Sequence, residues 1–282
     1  MSGAAPTRLR PVAARTVDKG AVSVPVVPCE GLEQLRIDPA PGALRYRVRL
    51  EERADLDALL VTKDPQTLVV VFHGMMVPGH HFLPRFEWLR TLQATDYSCL
   101  YLSDPTLQAD EALRLGWYIG WEDLDLVPLL ARVISAAGEA LDAQRIVLIG
   151  SSGGGFASLQ VSSCLPGSIA VAFNSQTDIG KYRWDAQAAF ARRVMPQLLP
   201  SGTGRKQWAR SLGQRSSVLR RYELAQQNHV LCIQNVNDAF HLTHHHQPFK
   251  ELMESSPNRD RSRFELYEGP AAHEPPGRAR VP

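Results

Sequence analysis

The segment Gly150-Ser151-Ser152-Gly153-Gly154 has the form G-x-S-x-G and follows the apolar run Ile146-Val-Leu-Ile149. Residues of helical composition begin at Gly153. A serine in that setting stands on a sharp strand-to-helix turn, with its hydroxyl clear of the sheet. The flanking Gly150 and Gly154 are explained if a side chain at either place would collide with neighbouring backbone. The amide of Gly153 points into the same space and is a candidate oxyanion donor. The chemistry implied is acyl transfer through a covalent acyl-Ser152. Glycine-rich turns also bind phosphate, but a phosphate loop ends in Gly-Lys-Ser/Thr, and no lysine follows here. The dinucleotide fingerprint G-x-G-x-x-G fails as well, because two serines separate Gly150 from the next glycine.

A serine hydroxyl needs a base to take its proton and a third group to hold that base. When the serine elbow comes first, the acid and then the histidine follow in chain order. His273, in Glu268-Gly-Pro-Ala-Ala-His-Glu-Pro-Pro276, is the candidate base, just after the last strand-like run. Asp238, after the apolar run His229–Gln234, is the candidate acid; Asp178 is its rival, and Asp104 comes too early for this order. A second oxyanion donor belongs in the turn after an earlier central strand. Phe72-His-Gly-Met-Met-Val-Pro-Gly79 occupies that place, with the amide of Met75 as donor and His73 and Gly74 as supports. Met76 and His81 are candidate substrate contacts on the same loop; packing and solvent exposure are the plainer readings of each.

These groups need a frame to converge. Strand-like runs occur at Leu44–Leu50, Ala58–Val61, Leu68–His73, Tyr97–Leu102, Arg145–Gly150, Ile169–Asn174, His229–Gln234 and Arg263–Tyr267. The continuous apolar runs at 68–72 and 146–149 imply burial on both faces, as in a parallel sheet covered by helices. Helical stretches are expected at Phe82–Gln93, Trp121–Leu141, Gly153–Cys164 and His245–Glu254. Alternation of strand and helix from about residue 67 means α/β architecture. About fifty residues of helix-like sequence, roughly 179–228, interrupt it and are expected to form a cap over the strand ends, where ligands of open α/β sheets bind.

That insertion carries no Asp or Glu from Ala186 to Tyr222, but holds Arg192, Arg193, Arg205, Lys206, Arg210, Arg215, Arg220 and Arg221, with Phe190 and Trp208 among them. Trp208 and Arg210 are candidate contacts to an anionic or carbohydrate substrate; a solvated face, or a patch for acidic lipid or protein, fits the same pattern. His241 and His245 have the i, i+4 spacing of a metal pair, but no separate ligand set accompanies His241, His244, His245 and His246, and a polar helix start is the simpler reading. No metal and no cofactor is expected.

A formal net charge of +2 excludes a strong nucleic-acid binder on charge alone. Four cysteines without a C-x-x-C pair suit a reduced, cytoplasmic protein. The absence of an apolar signal core and of eighteen consecutive apolar residues argues against a secretory signal or a membrane span. Residues 1–42 are expected as a loosely ordered arm, with one domain over 43–282.

The chain resembles α/β-hydrolase-fold serine hydrolases. The resemblance rests on His73-Gly74 after a buried strand, the elbow at 150–154, Asp238 after the penultimate strand and His273 after the last, and covers about residue 44 onward. It implies a mostly parallel sheet of about eight strands and a Ser152–Asp238–His273 triad. Members continue with a helix after the histidine, whereas this sequence runs only to Pro282. Tyr101-Leu-Ser-Asp-Pro-Thr-Leu107 with Gly116-Trp-Tyr-Ile-Gly120 is also similar to hydrolase-fold acyltransferases of bacterial glycan and accessory secretion systems. The expected activity is carboxylic ester cleavage on a small-molecule ester or acyl donor. O-acyl transfer and a non-catalytic binding or assembly role remain as alternatives.

Overall fold

A computed structural model describes residues 11–15, 21–199, 207–270 and 273. Its strands are β1 (Pro11–Arg15), β2 (Ala21–Cys29), β3 (Gly42–Leu50), β4 (Ala54–Thr62), β5 (Asp64–Phe72), β6 (Tyr97–Leu102), β7 (Arg145–Ser151), β8 (Ile169–Phe173), β9 (His229–Asn235) and β10 (Ser262–Tyr267). They lie side by side in the order β1-β2-β3-β4-β6-β5-β7-β8-β9-β10. Nine of them, β2 to β10, make the main sheet, and β1 pairs antiparallel onto its edge. β4 runs antiparallel to both neighbours, and from β6 to β10 every pairing is parallel. Parallel neighbours put the ends of β5, β7, β8 and β9 on one edge, and the elbow, the post-β5 loop and Asp238 all follow those ends.

The central strands are buried on both faces, as their unbroken apolar runs require. Along β5, Leu68, Val70 and Phe72 face one core with Leu126, Leu130 and Ile134 of α2 (Leu126–Ala140), while Val69 and Val71 face another with Phe86 and Tyr101. Helix α2 starts at Leu126, later than the expected Trp121, because the Asp125 carboxylate caps it by accepting from the Val127 amide.

Three expectations change. The segment Ala21–Cys29, inside the expected loose arm, is β2, parallel to β3 through Val26↔Arg45 to Cys29↔Val48. Its Pro25 and Pro28 lack the amide a ladder uses and hide an otherwise apolar strand. β4 is nine residues long where four were expected. Asp55 and Asp57, which break its apolar run, face Arg47 and Arg45 across the β3 ladder, with Arg47 Nε 3.2 Å and Arg45 Nε 3.4 Å from Asp57. The helix expected over Phe82–Gln93 shrinks to α1 (Leu89–Gln93). Pro84 disfavours helix at the residue before it, and Arg85 and Glu87 turn to the post-β5 loop instead.

Helix α3 (Gly153–Ser162) follows the elbow. Between β8 and β9 stand α4 (Trp184–Val194), α5 (Gln207–Ser211) and α6 (Val218–Tyr222). They pack Phe190, Trp208, Val218 and Tyr222 into one core with Trp117, Phe156 and Leu159. Arg205 and Lys206 lie outside the described residues. After β9 come α7 (Ala239–His241), a π-helical turn (Leu242–His246) and α8 (Gln247–Ser255). Among the described residues, no helix is long and apolar enough to cross a membrane.

Candidate active site

Ser152 occupies the turn between β7 and α3 at φ 58°, ψ −120°, a left-handed backbone that a non-glycine residue adopts only under constraint. Its amide donates to Phe173 O (3.0 Å) and its carbonyl accepts from the Phe156 amide (3.1 Å). A Cβ at Gly154 would sit 2.3 Å from Phe72 O, and one at Gly150 would sit 2.3 Å from the Gly154 carbonyl. Both flanking positions therefore require glycine for close approach of backbone, as the motif implies.

Asp238 follows β9 and caps α7. Its carboxylate carries two imidazoles. His273 Nδ1 lies 2.6 Å from Oδ2, and His241 Nδ1 lies 3.0 Å from Oδ1. The two rings are stacked, 3.8 Å between centroids and 16° from parallel. The turn leading to His273 is pinned by Asn235 and Asn237, whose side-chain amides donate to Pro270 O and Gly269 O (2.7 Å each). Burial pushes the Asp238 carboxyl up, but hydrogen bonds from His273 and His241 outweigh it and hold the group below the usual carboxylate value. Burial, and His273 beside it, push His241 down to about 4, so it is neutral at pH 7. The rival Asp178 is elsewhere: it caps a turn, accepting from the Gly180 amide (2.8 Å) and facing Ser217.

Gln176, just after β8, joins the nucleophile to this pair. Trp117 Nε1, a donor only, lies 3.2 Å from Gln176 Oε1 and so fixes which end of the amide is which. Gln176 Nε2 then donates to Ser152 Oγ (2.8 Å) and to His241 Nε2 (3.1 Å). His241 must accept there, so its proton is on Nδ1, toward Asp238. Among the described residues no hydrogen bond joins Ser152 to His273.

The post-β5 loop lies against the elbow; a Cβ at Gly74 would be 3.6 Å from Ser152 Cβ. His73 is locked as a neutral ring: Nε2 accepts from the Asp104 amide (3.0 Å), Nδ1 donates to Gly74 O (2.8 Å), and burial with Arg85 nearby pushes its pKa down to about 3. The Gly74 amide is taken by Glu87 Oε2 (2.6 Å). The buried Arg85 guanidinium donates to Gly74 O (3.1 Å) and Met75 O (2.6 Å) and pairs with Glu87 (3.2 Å). This clamp commits both carbonyls and the Gly74 amide elsewhere. The Met75 and Gly153 amides make no hydrogen bond among the described residues.

The other expected contacts are scattered. Met76 is buried with Leu107, Leu113 and Leu115. His81 Nδ1 accepts from the Val77 amide (3.0 Å), closing a turn. Trp208 is 2% exposed and donates to Gln187 Oε1 (3.2 Å), so it is a core residue. Arg210 lines a pocket of about 220 Å³ with Lys181, Arg220 and Asp178. Sequence reasoning missed Gln176, Arg85, Glu87 and the roles of His241 and of Trp117, although the Gly116–Gly120 motif contains the latter. The signals available were that motif and the spacing Asp238-x-x-His241, which puts a histidine one helical turn after the acid.

Asp238, His241 and His273 offer ligand atoms within 4.8 Å of one another, a spacing an ion could bridge. Imidazole lone pairs lie in the ring plane, however. Two nearly parallel, stacked rings aim them side by side, and they cannot converge on one ion without a ring turning. The arrangement reads as one carboxylate shared by two imidazoles.

No family model matches the chain, and no curated protein does. Solved structures do. The capsule O-acetyltransferase of Neisseria meningitidis serogroup A is 15% identical, over 80% of this chain and 87% of that one, with a TM-score of 0.58. A mutant of that enzyme in complex with CoA is 14% identical over 79% and 85%, with a TM-score of 0.53. The Glycosylation Associate Protein (Gap123) complex from Streptococcus agalactiae is 15% identical over 81% of this chain and 42% of that one, with a TM-score of 0.54. At such identities the likeness is one of architecture, and with the strand order and elbow above it establishes that this chain has an α/β-hydrolase-like fold.

Proposed function

We propose that this protein is a serine-dependent acyl enzyme that cleaves carboxylic esters through an acyl-Ser152 intermediate. The observation that carries the reading is Ser152 on a strained elbow, on the same sheet edge as an Asp238–His273 pair at 2.6 Å. Ser152 Oγ attacks the ester carbonyl carbon while its proton passes to His273 Nε2. Asp238 holds the His273 Nδ1–H and stabilises the imidazolium. The carbonyl electrons move onto oxygen, which the Gly153 and Met75 amides receive. Collapse expels the alcohol, protonated by His273. Water then repeats the sequence on the acyl-enzyme. His241 is not assigned as the base, because its Nε2 already accepts from Gln176.

O-acyl transfer to a carbohydrate or other hydroxyl is the second reading. It is favoured by where two motifs meet. Asp104 Oδ2 accepts from the Tyr118 amide (2.9 Å), and Trp117 from the second motif orients Gln176 against Ser152. Two of the similar folds are those of a capsule O-acetyltransferase and a glycosylation-associated complex. In this reading the 179–228 insertion acts as a cap, and the Lys181–Arg210–Arg220 pocket receives an anionic part of donor or acceptor.

The test is covalent labelling with a fluorophosphonate probe, comparing the wild type with Ser152→Ala and His273→Ala. Labelling that requires both residues supports the mechanism. A folded wild type that takes no label overturns it and favours a binding or assembly role. Adding sugar hydroxyls to the acetylated enzyme then separates the two acyl readings: transfer accelerates loss of the acyl group and acetylates the sugar, whereas a hydrolase releases acetate at an unchanged rate.

A further inference from the structure

The side chain of Gln176 touches the nucleophile in a way the mechanism above does not use. It is 0% exposed, and three of the four hydrogen-bonding directions of its amide are filled, both N–H donors among them. Oε1 accepts from the Trp117 indole, and the two N–H bonds go to Ser152 Oγ and His241 Nε2. Trp117 is itself held at φ 54°, in a backbone region that costs energy for a non-glycine residue. From the insertion, the Arg215 guanidinium donates to the carbonyls of Ile119, Trp121, Glu122 and Leu124 and staples the loop that carries Trp117. The N–H is thus delivered to the serine oxygen by a supported chain of contacts and is present before any ligand binds.

We propose that Gln176 is a catalytic residue for deacylation: its Nε2–H stabilises Ser152 Oγ as the leaving oxygen when the acyl-enzyme breaks down. This rests on the acyl-serine reading above. Breakdown begins when water, or an acceptor hydroxyl, loses a proton to His273 and forms a bond to the acyl carbon. The C=O electron pair moves to the oxyanion. The pair then returns, the C–Oγ bond breaks with its electrons going to Oγ, and His273 returns the proton there. Gln176 transfers no proton. What changes is the strength of its hydrogen bond. The ester oxygen of the acyl-enzyme is a poor acceptor, because its lone pair is delocalised into the carbonyl. The departing Oγ carries developing negative charge and is a strong acceptor. A donor that binds the departing oxygen more tightly than the ester oxygen lowers the barrier between them. In acylation the advantage is smaller, because the starting hydroxyl already accepts this hydrogen bond well.

The differential between the two steps is the signature. With p-nitrophenyl acetate, nitrophenolate release in the first turnover reports acylation, and the steady rate, with intact-mass detection of acetyl-Ser152, reports deacylation. Gln176→Met keeps the side-chain length and removes both donors. It is expected to acylate within about threefold of wild type and to deacylate roughly tenfold more slowly, so that acetyl-enzyme accumulates. Trp117→Phe, which leaves Gln176 in place but removes the bond that orients it, is expected to slow deacylation by a smaller factor. It also keeps the proposal falsifiable should Gln176→Met fail to fold. A residue that only packs the site would slow both steps together. Equal slowing of acylation and deacylation, or unchanged deacylation in a folded variant, overturns the role of Gln176. Absence of acetyl-Ser152 in both the wild type and Gln176→Met, while both release nitrophenolate, overturns the acyl-serine reading instead, so the two failures are distinct.

Discussion

Mild acid is expected to destabilise this protein steeply, because it folds around histidines that must stay neutral. His73, His241, His245 and His246 are all buried. Burial, helped by neighbouring cations or imidazoles, pushes His73 and His245 down to about 3, and His241 and His246 down to about 4. In the unfolded chain the same groups titrate near pH 6.5. A depressed folded value means that their contribution is full above the unfolded pKa and is lost as pH falls toward the folded one. Below pH 6.5 each group costs about 1.4 kcal/mol per pH unit, close to 2 kcal/mol between pH 7 and pH 5. Four such groups amount to roughly 8 kcal/mol. Asp104 works the other way. Burial raises its carboxyl to about 6 despite hydrogen bonds from Thr106 and Tyr118, so protonation in the folded state returns a little over 1 kcal/mol in the same window. Asp57 and Asp178, also raised by burial, act in the same direction as Asp104. Asp238, held below the usual carboxylate value, plays no part until pH falls under that value. The net loss approaches about 6 kcal/mol, a large share of the 5–15 kcal/mol that domains possess. Urea denaturation at pH 7.0, 6.0 and 5.0 measures it directly. Unfolding at pH 5 should take up about three protons, readable as a pH rise in weakly buffered solution. A free energy that moves by less than about 1 kcal/mol between pH 7 and pH 5 would refute the assignment of these four rings as buried and neutral.

Other perturbations test the site itself. Gly154→Ala places a Cβ 2.3 Å from Phe72 O and 2.9 Å from His73 O; ordinary contact needs about 3.3 Å, so α3 must move about 1 Å off β5, and fluorophosphonate labelling should slow by roughly a hundredfold. Labelling of this variant at the wild-type rate would remove the elbow argument. Asp238→Asn presents an amide where His273 and His241 both need a carboxylate, and kcat on an activated ester should fall roughly 10³- to 10⁴-fold with KM little changed. Glu87→Gln removes the charge facing Arg85 at 3.2 Å and loosens the hold on the Gly74 amide; the melting temperature and kcat should fall together, whereas an effect on KM alone would dissociate this clamp from the oxyanion loop.

The parts of this protein legible in its sequence are those whose cause is local. The elbow shows because close approach of β7, α3 and β5 excludes any side chain at 150 and 154. The central strands show because burial on two faces makes an unbroken apolar run. β2 and the full length of β4 did not show, since prolines interrupt one and aspartates the other, and the arginines that make Asp55 and Asp57 acceptable lie on β3. Trp208 was misplaced for the opposite reason. An aromatic ring among arginines suggests a ligand surface, but Arg192, Arg193, Arg210 and Arg220 are exposed while the ring fills a core with Phe190, at 5.9 Å between centroids. Gln176 and Arg85 carry no motif at all. Their importance comes from which polar atoms the fold leaves them to satisfy, and composition and periodicity carry no record of that.

The shared carboxylate shows why a second imidazole need not mean a second base. Two rings on Asp238 are distinguished by what their far nitrogens meet. On His241 that nitrogen accepts from Gln176, and the ring is buried at 3% exposure with its pKa near 4. To take a proton from Ser152 it would have to lose the Gln176 bond and become charged without water. His273 is the more exposed ring, with 31% of its side chain accessible, and its described hydrogen bond is the one to Asp238. A cation forming there is solvated on one side, neutralised by Asp238 and stacked on a neutral partner that does not repel it. His241 therefore serves the pair best by staying uncharged: its Nδ1, 3.0 Å from both Asp238 oxygens, fixes the carboxylate that His273 shares, and its flat face keeps the proposed base from rotating away. Replacing His241 with Phe would keep that face and remove both polar contacts. The mechanism then requires a loss in rate from the disordered carboxylate and Gln176, read as slower fluorophosphonate labelling that still depends on His273.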